Sequence, residues 1–275
     1  MKMRFRSSLV QCIKTVISWR FFTVLCFFIV LGNDFSDMMR FYIAGTNNKV
    51  TSWLLPVALS NRYMLLLFMW SVVFLFSDIP HIDRQHQYTI IRIGYHRWIQ
   101  SQFLTIALLS ILLVFIFWGA LLICLGDCVS FSLEWGTVLS NPAVPYDASG
   151  EGMYIVATTY NPIEATLMTV AYSVLVCMFL GTLITAFNIF YHYSIGVLVS
   201  SAFALLDYFI FLFLNDSALA LWVSPISWAN IAIFVDSRLI NNTYAAIMLT
   251  VLIIGINIAI CVSTNSENTI ENITT

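Results

Sequence analysis

The chain has 275 residues, of which 60% are hydrophobic and only 9% charged, with a mean hydropathy of +0.88. That balance excludes a water-soluble domain and points to a helical membrane domain, because lipid forces every backbone polar group to find its partner internally. The formal net charge of −2 excludes nothing by itself, so the position of the charges carries the argument.

Residues 1–20 hold Lys2, Arg4, Arg6, Lys14 and Arg20, with Phe5, Leu9, Ile13 and Val16 or Ile17 at helical spacing between them. A basic helix with one apolar stripe is expected to lie in the membrane interface, where each basic residue near an anionic leaflet contributes roughly 1 kcal/mol. The competing reading is a positive flank of the first span. No small-residue cleavage site follows, so a cleaved signal peptide is not expected.

Six spans are predicted, at 16–31, 53 or 61–76, 103–125, 165–190, 195–214 and 244–262. Most approach the ~20 apolar residues that cross a bilayer core. The period-two alternation of a membrane barrel is absent. A polar stretch, 32–52, follows the first span. A longer loop, 127–162, carries Pro142, Pro145, Gly150, Gly152 and Pro162 and is expected outside the cell. Segment 218–234 is apolar but broken by Ser224-Pro225, where proline removes a helix hydrogen bond and restrains its predecessor. Two half-helices that enter the bilayer and return fit it, and a seventh span is the alternative.

Orientation follows from Lys and Arg in short loops. With six spans and a cytoplasmic N-terminus, Lys2, Arg4, Arg6, Lys14, Arg20, Arg84, Arg92 and Arg97 fall inside, against Arg40, Lys49, Arg62 and Arg238 outside. Both termini are then cytoplasmic. Trp19 and Trp98 are expected at the inner interface, and Trp53, Trp222 and Trp228 at the outer one. The six cysteines show no C-x-x-C pair and read as small core residues.

Charge concentrates in segment 78–102, "DIPHIDRQHQYTIIRIGYHRWIQSQ", between the second and third spans. Asp78 can cap a helix with Pro80 in its first turn, and Gly94 can end it. Ile79, Ile82, Ile90 and Ile93, with Tyr88, Ile91 and Tyr95, make that helix amphipathic. A short amphipathic helix on the inner face is a docking element, and an unpartnered solvated hairpin is the competing reading.

The run "D…DR…IIRIGYHRWIQSQFL" over 78–104 resembles permease subunits of ABC-2-type ATP-binding-cassette transporters. The basic N-terminal helix, the six-span count and the proline-broken "SPISW" before the last span extend the resemblance over most of the chain, while the long loop after the third span departs from the simplest members. The resemblance implies one permease domain over 1–275, with a coupling helix within 78–102 that docks on a separate ATPase. Asp83 and Arg84 are implied as rim contacts and Tyr88, Ile90 and Ile91 as anchors. It also implies a second permease subunit, identical or related, and outward movement of a peptide, lipid, glycan or drug-like substrate across a bacterial plasma membrane.

No G-x-x-x-x-G-K-[ST] phosphate loop occurs, so ATP hydrolysis is expected on the partner and no enzyme activity or cofactor on this chain. No nucleic-acid partner is expected. His81, His86, His96 and His192 share the inner side but no ligand spacing, so no metal is expected. Asp207 is the clearest charge within a span; such a carboxylate costs about 2.5–3.5 kcal/mol to insert and faces the bundle interior or water. It is a substrate-path candidate, or else a structural partner of Arg62, Asn61 or Asn257. Asn188 and Asn257 are expected to bond between helices, and Glu164 to favour a helix N-terminus. The alternative function is a secondary transporter or channel independent of an ATPase.

Overall fold

The computed structural model describes residues 2–46, 48–80, 94–140, 156–191, 193–214, 222, 224–236 and 241–263. Helices dominate: α1 (Lys2–Val16), α2 (Trp19–Thr46), α3 (Leu55–Ser60), α4 (Arg62–Phe76), α5 (Tyr95–Leu125), α6 (Gly136–Leu139), α7 (Pro162–Phe190), α8 (Tyr193–Leu214), α9 (Ala232–Asp236) and α10 (Asn242–Ser263). Four stretches are long and apolar enough to cross a membrane: Trp19–Arg40, Tyr95–Cys128, Pro162–Phe190 and Asn242–Val262. They mark a membrane protein. Two shorter apolar stretches, Arg62–Phe76 and Ile195–Ile210, accompany them.

α7 is the central helix, and α4, α5, α8 and α10 all pack on it. Its buried residues surround most of its circumference, as a helix enclosed by others requires. Glycines occupy two tight helix contacts. A Cβ on Gly196 of α8 would lie 2.3 Å from Asn188 Oδ1 and 2.6 Å from the Ile184 carbonyl oxygen of α7. A Cβ on Gly181 would meet Ile106 and Phe76 at 2.6 and 2.9 Å. Small residues at such crossings let helix backbones approach.

The first span is longer than expected. α2 runs 28 residues through the stretch read as polar, because Leu31, Phe35 and Met39 continue one buried face while Asn33, Asp34 and Asp37 point outward. Mean polarity hid an amphipathic extension. The second span is divided: Asn61 caps α4, its side chain accepting from the Tyr63 and Met64 N–H groups at 2.9 and 3.2 Å. The preceding α3 is wholly buried.

The expected outer loop is partly structured. β1 (Val50–Thr51) and β2 (Val129–Ser130) pair in parallel, Val50 with Val129 and Thr51 with Ser130. Indole N–H groups complete this cap: Trp53 donates to Ser132 O (2.8 Å), Trp118 to Ser52 O (3.0 Å) and Trp135 to Tyr160 O (2.8 Å). Two of the tryptophans expected near the membrane edges are buried against protein: Trp98 packs with Ile99, Ala186, Ile189 and Ile260, and Trp228 lies in the main core. Hydropathy placed them at helix ends, and tertiary packing turned them inward.

Candidate functional site

The site residues expected to contact an ATPase, Asp83, Arg84, Tyr88, Ile90 and Ile91, lie in 81–93, outside the described residues. Both ends of that segment are described, and both are held. At its entry, Arg20 of α2 bridges Asp78 at 2.6 Å and donates to Ser77 Oγ. The guanidinium also lies over the Trp19 and Phe74 rings, 5.7 and 5.9 Å from their centroids. The Asp78 carboxylate offered by the sequence as a helix cap is thus engaged by α2. Ile79 is buried, and Asn188 of α7 donates through Nδ2 to its carbonyl oxygen at 2.8 Å.

At the exit, Gly94 adopts φ +87°, in the left-handed region that glycine accepts without strain, immediately before α5. The Tyr95 and Trp98 rings meet at a tilt of 43° with centroids 5.6 Å apart, and Trp98 packs on the ends of α7 and α10. The segment therefore leaves from and returns to one end of the bundle, where α2, α4, α5, α7 and α10 meet.

Asp207 of α8 sits at the other end of α4. It is 7% exposed, and it interacts electrostatically with Arg62, the first residue of α4. The backbone of Ser227 lies beside its carboxylate and adds to that interaction. Ser227 opens the 3-10 turn Ser227–Ala229 within the proline-broken segment. Asn230 fixes the same segment to α3, donating through Nδ2 to Ser60 O at 3.2 Å. Ser224, Ile226, Ser227, Trp228, Ala229 and Asn230 are all buried. After Ser224 the chain makes a turn at Pro225 and Ile226, the 3-10 turn and then α9, so the described part is not one continuous helix.

Of the structural partners weighed for Asp207, Arg62 is the one found. Asn188 bonds between elements as expected, whereas Asn257 does not: its Nδ2 donates to Ile253 O of its own helix at 2.8 Å. A lone amide four residues after a carbonyl can close on its own backbone. Glu164 lies in the first turn of α7, where it favours the helix dipole. Sequence reasoning missed the roles of Ser60, Ser227 and Asn230, since backbone groups in irregular turns leave no residue pattern. Among the described residues no three His, Cys, Asp or Glu side chains converge on a metal-sized site.

Two open grooves are lined chiefly by apolar groups. One, about 220 Å³, lies between α2 and α4 at Thr23, Val24, Phe27, Trp70, Ser71 and Phe74. The other, about 310 Å³, lies between α5 and α10 and includes Phe103, Ile254, Asn257 and Ile258. Neither gathers the charged groups that acid–base chemistry requires. No protein-family model, curated protein or solved structure matches the chain.

Proposed function

We propose that this chain is the permease subunit of an ABC-2-type transporter, with six spans, cytoplasmic termini and ATP hydrolysis on separate subunits. In this reading α2, α4, α5, α7, α8 and α10 cross the plasma membrane and 218–234 enters and returns. Two permease subunits, identical or related, enclose the path of an exported peptide, lipid, glycan or drug-like substrate. The observation that supports it is the double anchorage of the 81–93 segment. Arg20–Asp78 and Asn188–Ile79 hold its entry, and the Trp98 cluster holds its exit. A push on a segment so held moves several spans together, as an element that transmits ATP-driven motion must. Asp207 serves as a positioning residue that keeps the proline-broken segment on the bundle, because its carboxylate faces Arg62 and Ser227.

The test is purification of the full chain from its native membranes, with ATP hydrolysis measured in the preparation. An ATPase should copurify. Tyr88→Ala combined with Ile91→Ala should lower both its recovery and the hydrolysis, while insertion stays normal. A preparation that transports in vesicles with no ATPase present would replace this reading with the secondary transporter. Topology is checked by a cysteine at Ser149 in a cysteine-free background. It should react with an impermeant thiol reagent on intact cells, and labelling only after permeabilisation would reverse the orientation.

A further inference from the structure

α1 is built inside out by the standard of a soluble protein. Its polar residues Ser8, Gln11 and Thr15 are buried, while Leu9, Val10, Ile13 and Ile17 are exposed, Ile13 at 56% and Ile17 at 79%. The polar face is bonded to the start of α5: Ser8 Oγ donates to Ser101 O at 2.9 Å, and Thr105 Oγ1 to Gln11 Oε1 at 3.1 Å. Positions 8, 11 and 15 share one side of a helix, and 9, 13 and 17 the other. The outward apolar stripe continues past the break at Ile17-Ser18 into Trp19 and Phe22, both exposed. In water a surface helix turns its apolar stripe to the core and its polar face to solvent. The reversed arrangement, with polar groups satisfied internally, suits a helix whose outer surroundings are apolar.

Charge identifies those surroundings. Residues 1–33 contain Lys2, Arg4, Arg6, Lys14 and Arg20 and no acidic residue. Arg20 is engaged by Asp78, which leaves four basic residues on α1 itself, and Lys14 is exposed beside Ile13. A helix with an apolar outer stripe flanked by cations fits the boundary between the headgroups and acyl chains of an anionic leaflet.

We infer that the outward face of α1 is a binding surface for anionic phospholipid. The stripe Leu9, Val10, Ile13 and Ile17 meets acyl chains, and Lys14 meets phosphate. The inference deepens the interfacial placement of residues 1–20 and rests on the membrane reading, not on the ATPase reading. Because the opposite face is hydrogen-bonded to Ser101 and Thr105, the leaflet is joined through α1 to the first turns of α5.

The test uses the full chain without native cysteines, carrying a fluorophore at Ile17 or, as a control, at Ile254 of α10. Ile254 is exposed, and α10 contains no basic residue. The protein is placed in vesicles containing brominated phosphatidylcholine or brominated phosphatidylglycerol. Brominated chains should quench both fluorophores. Phosphatidylglycerol should be preferred at Ile17 and not at Ile254. Lys14→Gln should lower that preference by up to about fivefold, the equivalent of ~1 kcal/mol per basic residue. Lys14 is exposed, so the substitution leaves packing intact. Quenching at Ile254 but not at Ile17 would overturn the inference and leave the α1 face for a protein partner. Equal quenching by both lipids at Ile17 would also overturn it. Loss of quenching at both positions would remove the membrane reading itself.

Discussion

At each end of helix α4 an arginine interacts with an aspartate, in contrasting environments. At its end, Arg20 meets Asp78 at 2.6 Å with side chains 25% and 44% exposed. At its start, Arg62 interacts with an Asp207 that is 7% exposed and lies beside the Ser227 backbone. The same two chemical groups do different work. The exposed pair gains modest Coulomb energy against water and salt. Asp207 has given up most of its hydration, and its interaction with Arg62 offsets part of that cost. At the end from which the 81–93 segment leaves, the ion pair is open to water and salt, and the Asn188–Ile79 bond and the Trp98 cluster hold the same end from inside. The end on which the proline-broken segment docks is fixed.

The largest effect is expected from breaking the buried pair singly. Asp207→Ala removes the carboxylate that interacts with Arg62 and should give the largest fall in the unfolding midpoint in detergent. Arg62→Met combined with Asp207→Leu should recover much of that loss, because both charges are then removed together. Equal, additive losses in single and double variants would show that the two residues act independently.

A contrast in packing comes next. Gly196→Ala drives a methyl group against Asn188 and the Ile184 carbonyl and should cost about 1–3 kcal/mol. Gly255→Ala faces open space and should be neutral or stabilising by up to about 1 kcal/mol. Similar melting shifts for the two would contradict the close α7–α8 approach. Asn188→Val leaves the Ile79 carbonyl without its donor and should cost about 1–3 kcal/mol on the same measurement.

The smallest effect belongs to the exposed pair. Arg20→Ala or Asp78→Asn should cost about 0.2–1 kcal/mol. That difference should fade towards ~1 M salt, where the Debye length is about 3 Å. Asp207→Ala should keep its full effect in the same salt. A salt-insensitive Arg20 variant would place both pairs in one class.

Much of this was legible in the residues. Apolar runs located the long helices, and the spacing of Leu9, Ile13 and Ile17 between basic residues marked α1 as a helix with an apolar stripe. Pro225 marked the interruption that the structure shows as a turn followed by a 3-10 turn. Asp207 stood out as a charge in an apolar run, with Arg62 among its candidate partners. The Arg20–Asp78 bridge was half legible, since one residue opens the first span and the other closes the second. The α2 extension was not, because Asn33, Asp34 and Asp37 lower the average while Phe35 and Met39 keep the buried face.

The sequence by itself determined that the chain is helical, rich in apolar helices and short of charge, with basic residues gathered at the N-terminus and in 78–102. Tertiary structure alone decided which face of each helix looks inward. It buried Ser8, Gln11 and Thr15 while exposing Ile13 and Ile17, and it drew Trp98 and Trp228 into the core. The physical reason is the solvent. In water, hydrophobicity separates inside from outside, so a periodic pattern reveals the buried face. In lipid both sides of a helix are apolar, and the choice passes to close packing and to pairing of the few polar groups. Those pairings, Gln11 with Thr105, Asn188 with Ile79 and Asp207 with Arg62, join residues far apart in sequence, where no local pattern records them.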